Sequence, residues 1–489
     1  MTSQRRPASL FPVIPGFHPD PSVCRVGEWY YLATSTFEYA PGVPIRRSKD
    51  LVHWELLGHA LTRRDQWPLG TFKDSRGIFA PTLRHHDGRF WMITTDVDGG
   101  GGQILVTAED PAGEWSPSVR LPDIAGIDPD LAWDDEGRLL VTFCATLEPV
   151  IHIMQAEVDP TTGRALEKPR SMWSGTGMNH PEAPHLVRRG DWWYLMVAEG
   201  GTHTGHAVSI ARSRDPRGPF EGHPHNPILS HRSLGHPVQS TGHADHVERA
   251  DGTWAILFLD TRPRGGFPGW HVNGRETFLA DVEWREDWPY VVPSEVEVAG
   301  PEWFTETFES WPLHPRWVSP GLLPQEFTAP VVDGGLEVRE ALAPSGAASM
   351  LAARCTEERW QVSGLLEPGA GVAALRVRMD ERHWAEVRAG DGTVAAVARV
   401  GQLEQVLGSV PVPDGPVRVG VRAVDPTTGG PDDLELLVHL DGATLTLGRL
   451  DGRYLSTEVG GGFTGRTWGV RAVRGSVVVR ELSVGPVED

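Results

Sequence analysis

The chain repeats a short unit in which a turn, usually containing proline, is followed by two strand-like runs separated by a glycine. Apolar and polar residues alternate within each run. Alternation with a period of two is typical of half-buried strands, and the glycine between the runs indicates a tight turn. Each unit therefore predicts a β-hairpin. The five copies begin at Asp20, Ala80, Asp128, Glu182 and His243.

The spacing of these copies predicts a propeller. They recur about every 50–60 residues, with more strand-like sequence between them, which is typical of radially repeated sheets. Five copies predict a five-bladed β-propeller over residues 1–302. In such a ring the equivalent ends of the inner strands face the central axis. The residues that open the copies should therefore meet in one funnel, although they lie far apart in the chain.

From about residue 303 the repeat stops and a second pattern begins. Short alternating segments rich in Val and Leu are interrupted by Gly, Asp and Pro, which predicts an antiparallel β-sandwich over residues 303–489. No helix longer than about two turns is predicted, so the fold class is all-β. No long Gly-, Ser- or Pro-rich linker separates the two parts, which favours a lid over an independent binding module.

Charge and hydropathy exclude several kinds of partner. Acidic residues outnumber basic ones 65 to 45, and the net charge of −20 argues against nucleic acid, whose binding depends on clustered Lys and Arg. No stretch approaches the roughly 20 apolar residues of a membrane span. A neutral or cationic ligand is easier to accommodate, and a homo-oligomer is left open.

The cysteines and the first residues indicate a compartment. The three cysteines, Cys24, Cys144 and Cys355, are odd in number and have no paired spacing, as expected of free thiols in a reducing environment. Residues 1–11 contain no apolar run long enough for a signal-peptide core. We expect a cytoplasmic protein, and a mature exported protein is the alternative.

Acidic residues at the start of three copies indicate the hydrolysis of an acetal. One carboxylic acid must protonate the leaving oxygen, and one carboxylate must activate water or attack the anomeric carbon. Glu182 lies among prolines with little neighbouring charge to stabilise its anion, so it is interpreted as the general acid with a raised pKa. Asp20 is then the base. Asp128 would hold the acid in place and keep it protonated through like-charge proximity.

The alternative for Asp20 and Asp128 is a structural one, because Asp before Pro is a common turn residue. A purely structural Asp should recur in every copy, whereas the second copy has Ala80. The uneven distribution favours a functional role.

Two further residues are candidates for the funnel. His243 has three alternatives: a core histidine, a sugar contact, or a ligand, directly or through water, to a cation in the channel. No spacing forms a metal signature, so no cofactor is required, and a calcium ion in the propeller channel is an alternative. Arg275 could hold a sugar hydroxyl and a carboxylate together with its fixed fork of donors. Its alternative is a surface ion pair with Glu276.

Several ordered motifs resemble the family 43 glycoside hydrolases, above all the branch of β-xylosidases and α-L-arabinofuranosidases. The resemblance implies a five-bladed propeller, an inverting mechanism and a concanavalin-like sandwich that covers the mouth of the propeller. It assigns the base to Asp20, the pKa-modulating role to Asp128 and the acid to Glu182, in agreement with the interpretation above. The motifs are residues 12–22, 34–38, 41–45, 126–129, 181–186, 241–243 and 274–277.

The resemblance also indicates which aromatic residues contact the substrate. A loop like residues 460–465 reaches toward the sugar in that branch, so Phe463 is a candidate pocket residue, together with Phe37 and Phe79. The family often has an aromatic residue where this chain has Ala40, and Trp or Tyr where it has Phe79. These departures affect the walls of the sugar site and leave the acid and base unchanged.

These observations predict an exo-acting, inverting glycosidase that releases terminal L-arabinofuranose, or D-xylose, from hemicellulose oligosaccharides. The sequence around Phe79 favours the arabinofuranosidase, with β-xylosidase as the alternative main activity. The rival from another class is a non-catalytic sugar-binding propeller in which the acids only accept hydrogen bonds. Hydrolysis of fructosides is disfavoured because the Asn-Asp-Pro motif it requires is missing from the sequence.

Overall fold

The computed structural model describes residues 6–67, 73–98, 102–147 and 150–487. Within these ranges the regular structure is almost entirely β. The helices of the described residues are two α-helices of four residues each and one short 3-10 helix. The predicted all-β class is therefore confirmed.

The first part of the chain forms five antiparallel sheets of four strands each, in chain order. The first contains β1 (Ser22–Val26), β2 (Trp29–Ala33), β4 (Gly42–Ser48) and β5 (Glu55–Leu61), while β3 (Tyr39–Ala40) lies outside it. The second contains β6 (Ile78–His86), β7 (Arg89–Asp96), β8 (Gln103–Ala108) and β9 (Val119–Leu121). The third contains β10 (Ile127–Trp133), β11 (Leu139–Leu147), β12 (Val150–Glu157) and β13 (Arg170–Ser171). The fourth contains β14 (Glu182–Arg189), β15 (Trp192–Glu199), β16 (Ala207–Ser213) and β17 (Glu221–Gly222). The fifth contains β18 (Gln239–Glu248), β19 (Trp254–Thr261), β20 (Glu276–Arg285) and β21 (Trp288–Pro293).

These five sheets close into a ring. A separate apolar cluster fills the interface between each sheet and the next. A fifth cluster, which includes Leu32 and Leu257, joins the first sheet to the last. The first strand of each sheet contacts the first strands of its neighbours, and β18 contacts β1. Burial of these apolar faces is what drives the sheets together, and it places the starts of the inner strands around one axis.

The second part of the chain is a sandwich of two antiparallel sheets. One sheet has the strand order β24-β25-β36-β27-β32-β33-β34, with β22 paired to β36, and the other has β26-β35-β28-β29-β30-β31. Inward-facing Val, Leu, Ala and Trp side chains fill the space between them. In chain order the elements are β22 (Phe304–Glu306), β23 (Ser319–Pro320), α1 (Pro324–Phe327), β24 (Thr328–Pro330), β25 (Leu336–Arg339), β26 (Leu351–Arg354), β27 (Trp360–Glu367), β28 (Val372–Asp380), β29 (His383–Gly390), β30 (Thr393–Val400), β31 (Leu403–Pro411), β32 (Val417–Val424), β33 (Asp433–Leu440), β34 (Ala443–Asp451), the 3-10 helix (Gly452–Leu455), α2 (Thr457–Gly460), β35 (Thr467–Arg474) and β36 (Ser476–Gly485).

The two parts are bound tightly to each other. Strand β3 of the propeller pairs with β23 of the sandwich. The buried guanidinium of Arg378, in β28, donates to Glu38 (3.3 Å), the Tyr39 hydroxyl (2.6 Å) and Asp74 (2.6 Å) of the propeller. The boundary expected at residues 302 and 303 lies between the end of β21 and the start of β22. The sandwich is therefore packed on the propeller through both backbone and side chains.

The three cysteines are buried and free. Burial raises the pKa of each thiol, to about 12 for Cys24 and Cys355 and further for Cys144, so all three are unreactive at neutral pH. In the part of the chain that the structure describes, no helix combines the length and the apolar character needed to cross a membrane.

Candidate active site

One pocket of about 310 Å³ brings the predicted site residues together. It opens where the inner strands of the propeller begin, and the sandwich contributes one residue to its wall. All eight residues predicted from the sequence line it: Asp20, Phe37, Phe79, Asp128, Glu182, His243, Arg275 and Phe463.

Irregular backbone aims the polar side chains into this pocket. Asp20, Asp128 and His243 all have positive φ angles, of 58°, 53° and 42°, which residues other than glycine seldom adopt. The pairing register shifts beside Asp128 and His243, as it does at a β-bulge. Each bulge interrupts the alternation of the strand and turns one side chain toward the axis. Backbone strain of this kind is typical of functional sites.

The fourth sheet differs from the prediction that Glu182 is equivalent in position to Asp128 and His243. Its left-handed residue is Ala183, with a φ of 52°, so Ala183 and not Glu182 corresponds to Asp128 and His243. Glu182 precedes the bulge and is still paired with Ala198. The Ala183 backbone N–H donates to Asp128 Oδ2 at 3.1 Å. Asp128 therefore holds the backbone next to Glu182.

Asp20 is surrounded by donors. Its Oδ1 accepts a hydrogen bond from Arg275 Nη1 at 3.2 Å and lies 3.3 Å from His243 Nδ1, and its Oδ2 accepts one from the Ser35 hydroxyl. Burial alone would raise the pKa of Asp20, but Arg275, His243 and Ser35 together hold it below its usual value. Burial also lowers the pKa of His243, to about 4, so the ring is neutral. Asp20 is thus an anion held ready to accept a proton.

Glu182 has the opposite environment. Burial raises its pKa well above the usual value, and the neighbouring carboxylates of Asp128 and Asp20 raise it further. Burial and Asp20 also raise the pKa of Asp128, while the N–H of Ala183 opposes them. Since only Asp128 of the two has this stabilising donor, the proton of the pair belongs on Glu182. The pocket therefore holds one protonated acid and one anionic base.

The sequence analysis missed His206, which is 1% exposed and lies beside the acid. Its Nδ1 donates to the Ser240 carbonyl at 3.1 Å, and its Nε2 is 3.8 Å from Glu182 Oε1. Burial lowers the pKa of His206 to about 3, so the ring is neutral and its unprotonated Nε2 is the nitrogen nearest to Glu182. The sequence holds no signal for this residue, because the close fit of the His206 ring against Gly242, where a Cβ would lie 2.1 Å from it, is seen only in the structure.

Arg275 belongs to the pocket and not to the surface. Besides Asp20, its Nη1 donates to the Thr202 hydroxyl at 3.0 Å, and the residue is 7% exposed. The alternative of an ion pair with Glu276 is wrong, because Glu276 is bound by Arg262 at 2.6 and 2.9 Å. Arg275 and Glu276 are adjacent in the chain, so their side chains leave opposite sides of the extended backbone.

Three phenylalanines form the apolar wall. Phe463, from the loop that follows α2, stacks on Phe37 with 5.8 Å between ring centroids and meets Phe79 edge to face at 5.9 Å. Its backbone N–H donates to Ser75 Oγ at 2.8 Å, and its carbonyl accepts from Arg275 at 3.4 Å. The sandwich therefore completes the wall of the pocket and contacts the arginine that holds Asp20.

Beneath the pocket, the axial channel contains the guanidinium of Arg84. It donates to Asp245 and Asp130 at 2.7 Å each, and to Ser22 and His185 at 3.1 Å each. These five residues come from the five different sheets. Asp130 and Asp245, two carboxylates of the channel, are thus already paired with a cation. Among the described residues no cluster of His, Cys, Asp and Glu is arranged for a metal.

We expect, as a consequence, that activity does not depend on divalent cations. Prolonged dialysis against a chelator should leave kcat/KM unchanged, and added calcium should not raise it, because Arg84 supplies the positive charge in the channel. Initial rates before and after dialysis, with and without added calcium, measure this. A loss that calcium restores would contradict the assignment of Arg84.

Two family models match the chain. The model of glycosyl hydrolases family 43 matches residues 10–289, and that of the beta xylosidase C-terminal concanavalin A-like domain matches residues 305–477. The chain belongs to glycosyl hydrolase family 43. The two matches correspond to the propeller and the sandwich, so the resemblance seen in the motifs and the concanavalin-like type of the sandwich are confirmed.

Relatives in family 43 include enzymes named for two activities. The non-reducing end alpha-L-arabinofuranosidase of Bacteroides ovatus is 45% identical over 294 residues, which are 57% of this chain and 53% of the relative. The beta-xylosidase of Bacillus subtilis is 40% identical over 304 residues, 58% of this chain and 56% of the relative. The chain thus spans just over half the length of these curated relatives.

Solved family 43 structures resemble the whole chain. The Bacteroides ovatus protein titled xyloglucan PUL GH43B superposes with a TM-score of 0.88 at 32% identity, covering 98% of this chain and 99% of its own. The xylan beta-1,4-xylosidase from Bacillus halodurans gives 0.86 at 27% identity, with 97% and 99% covered. The two-part architecture is therefore shared with these family 43 members.

Proposed function

We propose that this family 43 protein is an exo-acting, inverting glycosidase that removes terminal L-arabinofuranosyl or D-xylosyl groups from short hemicellulose oligosaccharides. The observation that carries the proposal is the pairing of opposite protonation states in one pocket. Asp20 is held as an anion by three donors, while burial and two carboxylates keep Glu182 protonated. Acetal hydrolysis by acid and base requires this combination.

The mechanism assigns one step to each group. Glu182 gives its proton to the glycosidic oxygen as the bond to the anomeric carbon breaks, and the electron pair of that bond leaves with the oxygen. Asp20 takes a proton from a water molecule whose oxygen attacks the anomeric carbon from the opposite face. A single displacement of this kind inverts the configuration. Arg275 and His243 orient Asp20, and Asp128 orients the backbone beside Glu182.

The walls of the pocket favour one terminal sugar. The three phenylalanines give an apolar wall against which a sugar ring can pack, and the loop around Phe463 closes one side. A pocket bounded in this way accepts the end of a chain more readily than its middle. The proposed partner is accordingly a short neutral oligosaccharide.

We propose L-arabinofuranose as the preferred sugar and D-xylose as the second. The relative with 45% identity is named for the first, and the Bacillus subtilis relative with 40% for the second. The two glycosides present similar hydroxyl groups around the anomeric centre, so differences of about 1–3 kcal/mol decide the preference. The cytoplasmic location and the oligomeric state stay predictions.

The test compares kcat/KM on the two nitrophenyl glycosides, α-L-arabinofuranoside and β-D-xyloside, with Asp20→Asn as the inactive control. Proton NMR of the first-formed sugar gives the stereochemistry. A large excess on the xyloside would reverse the order of the sugars. Sugar binding by calorimetry without any hydrolysis of either glycoside would instead support the non-catalytic rival.

The fold loss of activity in Glu182→Ala should depend on the leaving group of the substrate. A dinitrophenolate needs little protonation, so its glycoside should lose about 10-fold or less, whereas a natural oligosaccharide should lose at least about 10²–10³-fold. The measurement is kcat/KM for a series of aryl glycosides of graded leaving-group pKa. An equal loss on every substrate would contradict the role of Glu182 as acid.

Asp128→Asn should move the alkaline limb of the pH profile to lower pH. In the wild type, kcat/KM falls on the alkaline side as Glu182 loses its proton, and the raised pKa places this limb above the usual carboxyl range. Removing the neighbouring negative charge lowers the pKa of Glu182, so activity at about pH 8 should fall roughly 10-fold more than at the optimum. Asp135→Asn, an exposed substitution in the same sheet, should leave the profile unchanged.

A further inference from the structure

A second cavity, of about 330 Å³, lies between the propeller and the sandwich and shares no lining residue with the catalytic pocket. Its charged wall is unbalanced, because arginines outnumber glutamates by two. The residues concerned are Arg6, Arg46, Arg316, Arg354, Glu302 and Glu357.

Two of the four arginines have carboxylate partners. Arg6 pairs with Glu357 at 3.1 Å, and Arg316 pairs with Glu302 at 2.9 Å. Arg46 and Arg354 form no ion pair with any carboxylate in the described ranges. Residues 1–5 contain no acidic side chain that could supply one.

The contacts of Arg46 and Arg354 leave donors unused. Arg46 Nη2 lies 3.1 Å from His18 Nε2, and Arg354 Nε donates to the Phe17 carbonyl at 3.0 Å. Since His18 Nε2 must then accept, the ring is neutral and its Nδ1 donates to Thr34 Oγ1 at 3.3 Å. Arg46 Nε and Arg354 Nη2 are both buried without a hydrogen-bond partner.

Two half-buried positive charges without an ion-pair partner are unfavourable to the folded state. A guanidinium keeps its proton in proteins, so it cannot become neutral as a buried Lys can, and a charge taken partly out of water without an ion-pair partner destabilises the folded state. Burial lowers the pKa of Arg46 to about 10 and that of Arg354 to about 9. Each arginine also repels the other, and a negative charge between them would relieve both effects.

We propose that this cavity binds a small tetrahedral oxyanion, of the phosphate or sulfate type, between Arg46 of the propeller and Arg354 of the sandwich. The planar fork of each guanidinium suits an ion with several acceptor oxygens. Because Arg46 belongs to β4 and Arg354 to β26, the ion joins the two domains. The proposal concerns binding alone and does not rest on the proposed glycosidase activity.

The site lies directly against the segment that carries the catalytic base. Phe17 and His18, which contact the two arginines, precede Asp20 in the chain. The His18 N–H donates to the Arg275 carbonyl at 3.0 Å, and the His18 carbonyl accepts from Thr277 Oγ1 at 2.6 Å. An ion that fixes Arg46 and Arg354 therefore also steadies the backbone between the cavity and the pocket.

The test is thermal unfolding and calorimetric titration of the full chain without substrate, in sodium phosphate and in sodium chloride at equal ionic strength. Saturating phosphate should raise the Tm by about 2–4 °C relative to chloride. Arg46→Gln should bind phosphate at least about 10-fold more weakly, and so should Arg354→Gln, which serves if the first variant does not fold. Arg47→Gln is the matched control, because Arg47 is the next residue of β4 and pairs with Glu55 at the surface.

Two further arms identify the ligand. Tighter binding of glucose 6-phosphate than of phosphate would assign an esterified phosphate, and equal or weaker binding would assign the free ion. A chain ending at Val487 tests whether Glu488 and Asp489 fill the cavity, since Val484 lines it. The proposal would be overturned if the shortened chain bound phosphate and the full chain did not. An equal effect of chloride and phosphate, or undiminished phosphate binding in Arg46→Gln and Arg354→Gln, would overturn it as well.

Discussion

Asp20→Asn should lower kcat/KM by at least about 10³-fold on every glycoside, whatever its leaving group. The amide keeps the shape of the side chain but cannot take a proton from water, and water must be activated in every turnover. This behaviour separates the base from Glu182, whose loss depends on the leaving group. The measurement is kcat/KM on the same series of aryl glycosides. Proton NMR of the first-formed sugar shows whether the wild type inverts the configuration.

Folding must be checked in the same variant. Replacing Asp20 leaves Arg275 buried without its charged partner, which lowers stability, so the Tm and the near-ultraviolet spectrum should be measured alongside the rates. Asp110→Asn, a change of the same type at an exposed turn, should keep full activity. Near-normal turnover by a folded Asp20→Asn protein, or a product of retained configuration, would show that Asp20 is not the base.

Removal of the sandwich should abolish activity. A chain ending at residue 302 lacks Phe463, the loop that bonds to Arg275, and the strand β23 that pairs with β3. A loss of at least about 10²-fold follows, because misplacement of catalytic groups by about 1 Å already costs that much. Activity on the preferred nitrophenyl glycoside and solubility after purification measure the effect. A fully active propeller would show that the sandwich is an independent module.

A single substitution tests the same contact in a chain of full length. Arg378→Met removes the cation that serves Glu38, Tyr39 and Asp74 across the domain boundary. Breaking a buried ion pair in this way costs about 3–5 kcal/mol, which denaturant unfolding can measure. Arg474→Met, at an exposed ion pair within the sandwich, should change stability by about 1 kcal/mol or less.

The sequence predicted the parts of the molecule that depend on local pattern. Alternation and repeat spacing gave the hairpins, their radial arrangement and the sandwich, because apolar periodicity follows directly from which face of a strand is buried. The same repeat located Asp20, Asp128 and Glu182. Charged residues at the start of an inner strand are unusual enough to stand out from the pattern.

What the sequence did not reveal depends on contacts between distant segments. The equivalence of Glu182 with Asp128 was wrong by one residue, because the position of a bulge depends on the partner strand. His206 comes from a loop without a recognisable pattern. Ser35 lies in the motif of residues 34–38, but nothing in that motif shows that its hydroxyl donates to Asp20. Nothing in the neighbourhood of Arg84 shows that its side chain enters the axial channel. These features become visible only when the sheets are placed side by side.

The position of Arg84 has a consequence for the order of events in folding. Its guanidinium joins its own sheet to residues of the other four. Two of these residues, Ser22 and Asp245, also bond to each other, and they lie 223 positions apart in the chain. Such contacts carry a large loop-closure cost and form late. The acids above Arg84 come from three of the same sheets, so a nascent or refolding chain can contain every hairpin in native form and still have no pocket. Catalytic competence in this sense requires the closed ring, on which the sandwich can then complete the pocket.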